Sequence, residues 1–216
     1  MRTDQYLTPS AFDLSKDECD SNPDPIFHRR YRGIEGDLVG SLGYLVNMTR
    51  PDLAWAHSEL SKYVQFPGKS HMSAADHVLR YLRGSAHYHI KYTRDLPDAT
   101  MSNKLWGCVD SDWAGDTDTR RSHTGYVLMF NGGAVSWKSR RHDSVSLSTF
   151  EAEFVAASQC AQEVLYLREI LRDFHETQQS PTLVYEDNLA CIATSENAVR
   201  RKYCRHIDIR RYLYES

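Results

Sequence analysis

The sequence has no apolar run that approaches the roughly 20 residues of a membrane-spanning helix. Its first residues, MRTDQYLTPSAFDLSKDE, also lack the apolar stretch of a secretory signal. Strong charge of one sign is missing too, because 26 Lys and Arg residues oppose 29 Asp and Glu residues for a formal net charge of −3. These absences argue against a membrane protein and against an overall basic surface for nucleic acid, so local charge has to be considered instead.

Closely spaced cysteine pairs are absent as well. An odd number of five cysteines, none near another in sequence, predicts neither a zinc knuckle nor a redox pair. We interpret them as free thiols in a reducing compartment and expect Cys108 and Cys160 to lie in the core. With 41% hydrophobic and 25% charged residues, the composition is typical of a folded globular protein.

Two segments precede the main domain. Residues 1–35 are polar and contain three prolines, which predicts a linker or an extended arm. Residues 36–100 carry apolar side chains at helical spacing and form a predicted helical segment. We expect three short helices there, with Pro51 starting the second and Ser73 capping the third, and then a short strand at 88–94.

The pattern of residues 104–216 predicts a mixed α/β domain. The expected strands are 104–110, 123–130, 134–141 and 181–187. The expected helices are 149–175, 188–196 and 206–215. Asn131-Gly132-Gly133 joins the second and third strands with the turn chemistry of a β-hairpin. This order predicts three antiparallel strands followed by a helical crossover to a parallel strand.

Three acidic residues occupy the ends of these elements. Asp110 ends the first strand, Glu153 lies in the first turns of the long helix, and Asp187 ends the fourth strand. Carboxylates that converge in this way are the oxygen ligands of Mg²⁺, and two such ions can hydrolyse a phosphodiester. Each residue also has a structural interpretation, because a strand-end Asp forms turns, Asp187 could cap the next helix, and Glu153 could complement a helix dipole.

Helical phase separates Glu153 from its neighbour Glu151. Residues two apart on a helix point about 200° apart, so only one of these two carboxylates can face the sheet. Glu151 belongs to a more polar face. Glu153 is in phase with an apolar stripe formed by Ala157, Cys160, Val164, Leu167, Leu171 and Phe174.

Several long motifs resemble the RNase H region of copia-type retrotransposon Pol polyproteins. They are VDSDWAGDTDTRRSHTGYVLMFNGGAVSWKSRRHDSVSLSTFEAEFVAAS, VYEDNLACI and RHIDIRRYLYE. Upstream, residues 31–85 resemble the segment that connects the reverse transcriptase to its RNase H in that family. The resemblance covers nearly all of the chain after about residue 30, with the motifs in the family order.

The resemblance implies an RNase H-like fold that cuts the RNA strand of RNA/DNA hybrids with two Mg²⁺ or Mn²⁺ ions. Asp110, Glu153 and Asp187 match the family's metal-binding carboxylates, which agrees with the choice made from periodicity. The family's polymerase motif, a Tyr with paired Asp residues, is absent, so no DNA synthesis is expected. Such domains continue into a fifth strand and a last acidic residue, and we expect this chain, which stops at Ser216, to be truncated before both. Asp208 is a further candidate ligand, with a position on the helix surface as its alternative role.

Local basic clusters are candidates for phosphate contacts, with a solvated surface as the alternative role. The residues of the two better clusters are Lys138, Arg140, Arg141, Arg200, Arg201, Lys202 and Arg205. Trp113, beside the acidic site, has two interpretations, packing in the core or stacking on substrate.

Two functional hypotheses follow. The first is a hybrid-specific endoribonuclease that works beside the polymerase domain of a parent polyprotein, in the cytoplasm or nucleus, within a retrotransposon particle if the element is active. The second is a truncated or domesticated remnant without catalysis that binds nucleic acid or a protein partner. Cleavage of an RNA/DNA hybrid by the chain separates them.

Overall fold

A computed structural model describes residues 7, 12, 14–22, 24–32, 38–93, 96, 98 and 101–196. The chain divides into two compact units, Met1–Ile90 and Lys91–Ser216. The division falls close to the predicted end of the helical segment, but no boundary lies near residue 35. In the described parts of the chain, no helix is both long and apolar enough to cross a membrane.

The first unit is helical. Its α-helices are α1 (Pro25–Arg32), α2 (Leu38–Met48), α3 (Ala54–Ser61) and α4 (Lys69–Gly84). Helix α1 lies in the segment predicted as a polar arm, where Pro25 takes the first helical position and the Asp24 carboxylate accepts a hydrogen bond from the Ile26 N–H at 2.8 Å. Short 3-10 helices cover Lys16–Glu18 and Pro51–Leu53.

The described residues of the predicted arm contribute to the core of this unit. Phe12, Leu14 and Tyr31 are buried in the same hydrophobic cluster as residues of α2, α3 and α4. The Tyr31 hydroxyl donates to the Leu60 carbonyl at 2.9 Å, and the Tyr63 hydroxyl donates to the Leu14 carbonyl at 2.9 Å. The arm prediction followed the high polarity and the prolines, whereas a few large apolar side chains anchor the segment.

The start of α4 differs from the prediction. Ser73 was expected to cap this helix, but the helix begins at Lys69 with Gly68 as its N-cap, so that prediction is wrong. The His71 imidazole Nδ1 accepts a hydrogen bond from the Gly68 N–H at 2.8 Å, which is the role that a Glu or Gln side chain at the third helical position has in a capping box. Helix α4 ends at Gly84, as predicted.

The second unit contains a four-stranded mixed sheet in the order β3-β2-β1-β4. The strands are β1 (Leu105–Asp112), β2 (His123–Phe130), β3 (Gly133–Arg141) and β4 (Leu183–Tyr185). Strands β1, β2 and β3 pair antiparallel, and β4 pairs parallel to β1. The α/β class, the antiparallel start and the parallel crossover are therefore confirmed.

Helix α5 (Thr149–Asp173) packs on one face of this sheet, and α6 (Leu189–Glu196) follows β4. The core between α5 and the sheet includes Leu105, Val109 and Leu128. Alternation along β1 places Cys108 on the opposite face, where it is exposed, so its predicted core position is wrong. Cys160 on α5 is fully buried, as predicted.

The predicted strand at 88–94 is absent from its described part. None of residues 88–93 belongs to a strand. The Thr93 N–H donates to the Asn131 carbonyl at 2.9 Å, and the Tyr92 hydroxyl donates to the Ala134 carbonyl at 2.7 Å. The helix predicted at 206–215 lies outside the described residues.

Gly107 in β1 allows the close approach of β2. A Cβ atom at this position would lie 2.4 Å from Leu128 Cδ2 and 2.6 Å from the Val127 carbonyl oxygen. We therefore expect Gly107→Ala to lower the free energy of unfolding by about 2 kcal/mol through overpacking.

Gly125 in β2 is the matched control, because nothing lies within 4 Å of a Cβ built there. Urea denaturation should show a change below about 0.5 kcal/mol for Gly125→Ala, as for a substitution that creates no clash. Equal stability of the two variants would contradict the described packing of β1 against β2.

Candidate metal centre

Three carboxylates converge at one end of the sheet. Asp110 lies near the end of β1, Asp187 follows β4, and Glu153 lies in the second turn of α5. One carboxylate oxygen from each residue lies within 4.8 Å of the other two. Because β1 and β4 are parallel neighbours, their carboxyl ends reach the same edge of the sheet, where the beginning of α5 meets them.

Glu153 is the buried member of this group, with 4% of its surface exposed. Burial, and then the negative charges of Glu186, Asp110 and Asp187, raise the pKa of Glu153 to about 8. A backbone hydrogen bond from Ser111 acts in the opposite direction. The second carboxylate oxygen, Oε2, is buried without a hydrogen-bond partner. A buried carboxylate oxygen that has no hydrogen-bond partner and lies among other carboxylates is suited to bind a cation.

Glu186 is a neighbouring carboxylate that the sequence reasoning missed. Alternation along β4 would place it on the face opposite Asp187, but β4 ends at Tyr185, so strict alternation no longer applies. Glu186 Oε1 accepts a hydrogen bond from the Asn188 N–H at 3.0 Å, while its Oε2 is buried without a partner. Burial is the main cause of its raised pKa, and the charges of Asp187 and Asp110 add to it.

Other residues take the structural roles considered for Asp187 and Glu153. Asn188, and not Asp187, caps α6, since its Oδ1 accepts hydrogen bonds from the N–H groups of Ala190 and Cys191 at 3.0 Å. Glu151 accepts a hydrogen bond from the Leu147 N–H at 2.7 Å and stabilises the start of α5. Glu151, and not Glu153, is the acidic residue in the first turn of α5, where a carboxylate complements the helix dipole.

The helical phase prediction is confirmed for most of its members. Glu153, Ala157, Cys160 and Val164 are buried on α5. Leu167 and Leu171 pack against the same core. Phe174 is the exception, being 74% exposed, because the helix has ended at Asp173.

The basic residues predicted to contact nucleic acid lie in varied surroundings. Arg140 is exposed and pairs with Asp143 at 3.0 Å. Arg141 pairs at 3.0 Å with Asp116, whose side chain is only 3% exposed, so this arginine also has a structural partner. Lys138 is half-buried on β3. The other candidates, Arg200, Arg201, Lys202 and Arg205, lie outside the described residues, as does Asp208.

A network of hydrogen bonds orders the loop between β3 and α5. His142 Nε2 and Thr124 Oγ1 lie 2.6 Å apart, and His142 Nδ1 and Ser146 Oγ lie 3.3 Å apart. The Trp113 indole N–H donates to the Ser146 carbonyl at 3.1 Å, which ties this loop to the end of β1. Trp113 remains 45% exposed, so it is not a core residue.

The chain is similar to several known proteins. It is 39% identical over 172 residues to the retrovirus-related Pol polyprotein from transposon TNT 1-94 of Nicotiana tabacum, a match that covers 80% of this chain and 12% of that protein. It is 35% identical over 185 residues to the Pol polyprotein from transposon RE2 of Arabidopsis thaliana, covering 86% of this chain and 12% of that protein.

A shorter relative is covered almost completely. The secreted RxLR effector protein 161 of Plasmopara viticola is 43% identical over 129 residues, which are 60% of this chain and 87% of that protein. No protein-family model and no solved structure matches the chain.

These similarities show that the chain is homologous to a part of the retrovirus-related Pol polyproteins of copia-type transposons. They support its interpretation as a fragment of such a polyprotein. The chain spans about an eighth of the length of the two Pol polyproteins, at 12% of each.

Proposed function

We propose that the second unit is an RNase H-type nuclease domain that hydrolyses the RNA strand of RNA/DNA hybrids. The observation that carries this proposal is the convergence of Asp110, Glu153 and Asp187, whose carboxylate oxygens lie within 4.8 Å of one another. The order of strands and helices, with a parallel β4 beside β1, is compatible with an RNase H-like fold.

The donor set fits two divalent ions, Mg²⁺ or Mn²⁺. All three residues offer carboxylate oxygens, which are the hard ligands that these ions prefer. The unpartnered Glu153 Oε2 and the mutual repulsion of the carboxylates both favour a bound cation. When bound, the ions supply positive charge that stabilises the attacking and leaving oxygens of a phosphodiester.

The protein's part in the reaction is to hold these carboxylates in place. Asp110 lies in β1, Asp187 lies two residues after the neighbouring parallel strand β4, and Glu153 is held by the packing of α5 on the sheet. Rigid positions of this kind need little reorganisation during the reaction. The carboxylates act as ligands and not as nucleophiles, since the attacking group in hydrolysis is water.

We also propose a substrate, a neighbouring domain and a location for this nuclease. The substrate would be an RNA/DNA hybrid, and the polymerase domain of a parent polyprotein would be its neighbour, in the cytoplasm or nucleus within a retrotransposon particle. Arg140 and Lys138 on β3 would contact phosphates, and 2′-hydroxyl contacts would distinguish the RNA strand.

A second candidate function is a non-catalytic role in binding nucleic acid or a protein partner. The relative named as a secreted effector favours it, because 87% of that much shorter protein aligns with this chain. A protein of that name and size indicates that related sequences occur outside Pol polyproteins.

Cleavage assays distinguish the two functions. The purified chain is incubated with Mg²⁺ and an RNA/DNA hybrid, with single-stranded RNA and duplex RNA as comparison substrates. A chain extended with the residues that follow in a Pol polyprotein is assayed in parallel. Cleavage of the hybrid alone supports the nuclease, and cleavage only by the extended chain indicates a missing element. No cleavage by either chain would reject the nuclease and favour the binding role.

A further inference from the structure

A hydrogen bond joins Trp113 to a loop that carries two further exposed apolar side chains, near the metal centre. Trp113, Val145 and Leu147 are 45%, 51% and 84% exposed, respectively. Val145 and Leu147 flank Ser146, whose carbonyl accepts the Trp113 indole N–H at 3.1 Å. The three side chains, called the Trp113 patch below, are thus brought together by two loops of the second unit.

Both loops adjoin elements that carry the carboxylates. Trp113 follows Asp112, the last residue of β1, and is three positions beyond Asp110. Leu147 immediately precedes Ser148, the N-cap of α5, and the helix carries Glu153 in its second turn. The Trp113 patch therefore flanks the metal centre on the side where β1 ends and α5 begins.

Hydrogen bonds of Ser146, His142 and Leu147 hold the loop before α5 in place, although the Trp113 patch itself is exposed. Ser146 is 5% exposed, and its hydroxyl lies 3.3 Å from Nδ1 of the buried His142. The His142 N–H donates to the Ser122 carbonyl at 2.8 Å, and the Leu147 N–H donates to Glu151. The fixed loop presents the indole in one orientation, so a partner would pay little entropy to order it.

We propose that the Trp113 patch is a contact surface for the sugar and base faces of the nucleic-acid strand whose phosphate lies at the carboxylates. This inference rests on the proposed nuclease function. Nucleotides adjoining the scissile phosphate present flat apolar faces, and exposed aromatic side chains commonly stack on them. A protein partner would need about 20–30 residues on each side of a standard interface, whereas this patch consists of three apolar residues.

The test measures binding and cleavage separately. Hybrid binding is followed by fluorescence anisotropy in Ca²⁺, and kcat and KM are measured in Mg²⁺. We expect Trp113→Ala to weaken hybrid binding and raise KM by about tenfold, with kcat within about twofold of the wild type. Trp113→Phe, which keeps an aromatic ring but loses the N–H group, should recover most of this loss.

Two further variants control for folding and for exposure. Leu147→Ser changes a side chain that is 84% exposed, so it should fold normally and weaken binding about threefold. Tyr166→Ala removes an aromatic residue that is 62% exposed on α5, away from the helix start, and should bind like the wild type.

The outcomes separate this inference from the function on which it rests. If the wild type binds the hybrid and both Trp113→Ala and Leu147→Ser bind it equally well, the Trp113 patch is not a contact surface. The proposed nuclease function would be unaffected by that result. Equal losses in Trp113→Ala and Trp113→Phe would also reject the Trp113 patch as a contact surface, because the hydrogen bond and not the ring would then matter. No hybrid binding by the wild type would overturn both proposals.

Discussion

Asp110→Asn and Glu153→Gln are each expected to reduce Mg²⁺-dependent cleavage of an RNA/DNA hybrid by on the order of 10³-fold or more. Either substitution removes one anionic ligand from a set of three whose oxygens lie within 4.8 Å of one another. The changes are nearly isosteric, so the fold should persist. Single-turnover rates with a labelled RNA strand, together with thermal unfolding, measure the two effects separately.

Matched controls lie two residues away in the same elements. Asp112→Asn changes the last residue of β1, and Glu151→Gln changes the polar face of α5 while keeping an acceptor for the Leu147 N–H. We expect both controls to retain cleavage within about tenfold of the wild type, since neither residue belongs to the converging set. A site variant that cleaves as fast as its control would reject the site assignment.

The second large effect is a dependence of stability on pH in the absence of metal. Glu153 has a pKa of about 8 in the folded chain, against an ordinary value of 4.5. The folded state therefore retains a proton that the unfolded state has already lost between these pH values. Its stabilising contribution is complete below pH 4.5 and is lost as the pH rises towards 8.

Glu153→Gln mimics the protonated side chain and should remove this loss. We expect the variant to gain about 2–4 kcal/mol over the wild type between pH 5 and pH 8 in EDTA, because each pKa unit is worth about 1.4 kcal/mol. Comparing the two proteins at each pH cancels the titration of the groups that they share. Urea denaturation measures the difference in unfolding free energy.

Adding Mg²⁺ should make the wild type more stable than Glu153→Gln, the reverse of their order in EDTA. Mg²⁺ binds the deprotonated carboxylates of the folded wild type and raises its melting temperature at pH 8, with a much smaller effect on Glu153→Gln. If the difference between the two proteins did not change with pH in EDTA, Glu153 would not be the buried carboxylate with a raised pKa described above. Glu151→Gln serves as the control at every pH.

Local sequence patterns predicted the hairpin and the helical phase of Glu153, whereas the fourth strand, predicted at 181–187, covers only Leu183–Tyr185. With the hairpin signal at Asn131-Gly132-Gly133, the bounds predicted for β2 agree with the observed ones, and those predicted for β3 differ by one residue at its start. A heptad-like apolar stripe on α5 distinguished Glu153 from Glu151, and burial of the stripe follows that phase. Periodicity predicts these features well because they depend on which face of a long element is buried.

Other features depended on contacts between distant residues. The start of α4 is set by the His71 side chain, which hydrogen-bonds the Gly68 N–H while its Nε2 lies 3.2 Å from the Ser15 carbonyl. Phe12 joins the first core through Trp55, with ring centroids 5.1 Å apart. Neither contact leaves a periodic signal in the sequence.

Glu186 is the part of the site that the sequence pattern did not predict. Its position beside Asp187 was visible in the sequence, but alternation would have assigned the two carboxylates to opposite faces. The short β4 and the turn closed by the Asn188 N–H place Glu186 close enough to raise the pKa of Glu153. A turn after a three-residue strand is a detail of geometry that composition and spacing do not encode.

Mn²⁺ binding to the purified chain, measured by electron paramagnetic resonance, tests the central claim most directly. The account predicts that wild-type chain binds Mn²⁺ and that Asp187→Asn weakens binding by at least about tenfold. Asp173→Asn, which removes an exposed charge at the end of α5, should bind Mn²⁺ like the wild type. Equal Mn²⁺ affinity in all three proteins would contradict a metal centre at Asp110, Glu153 and Asp187.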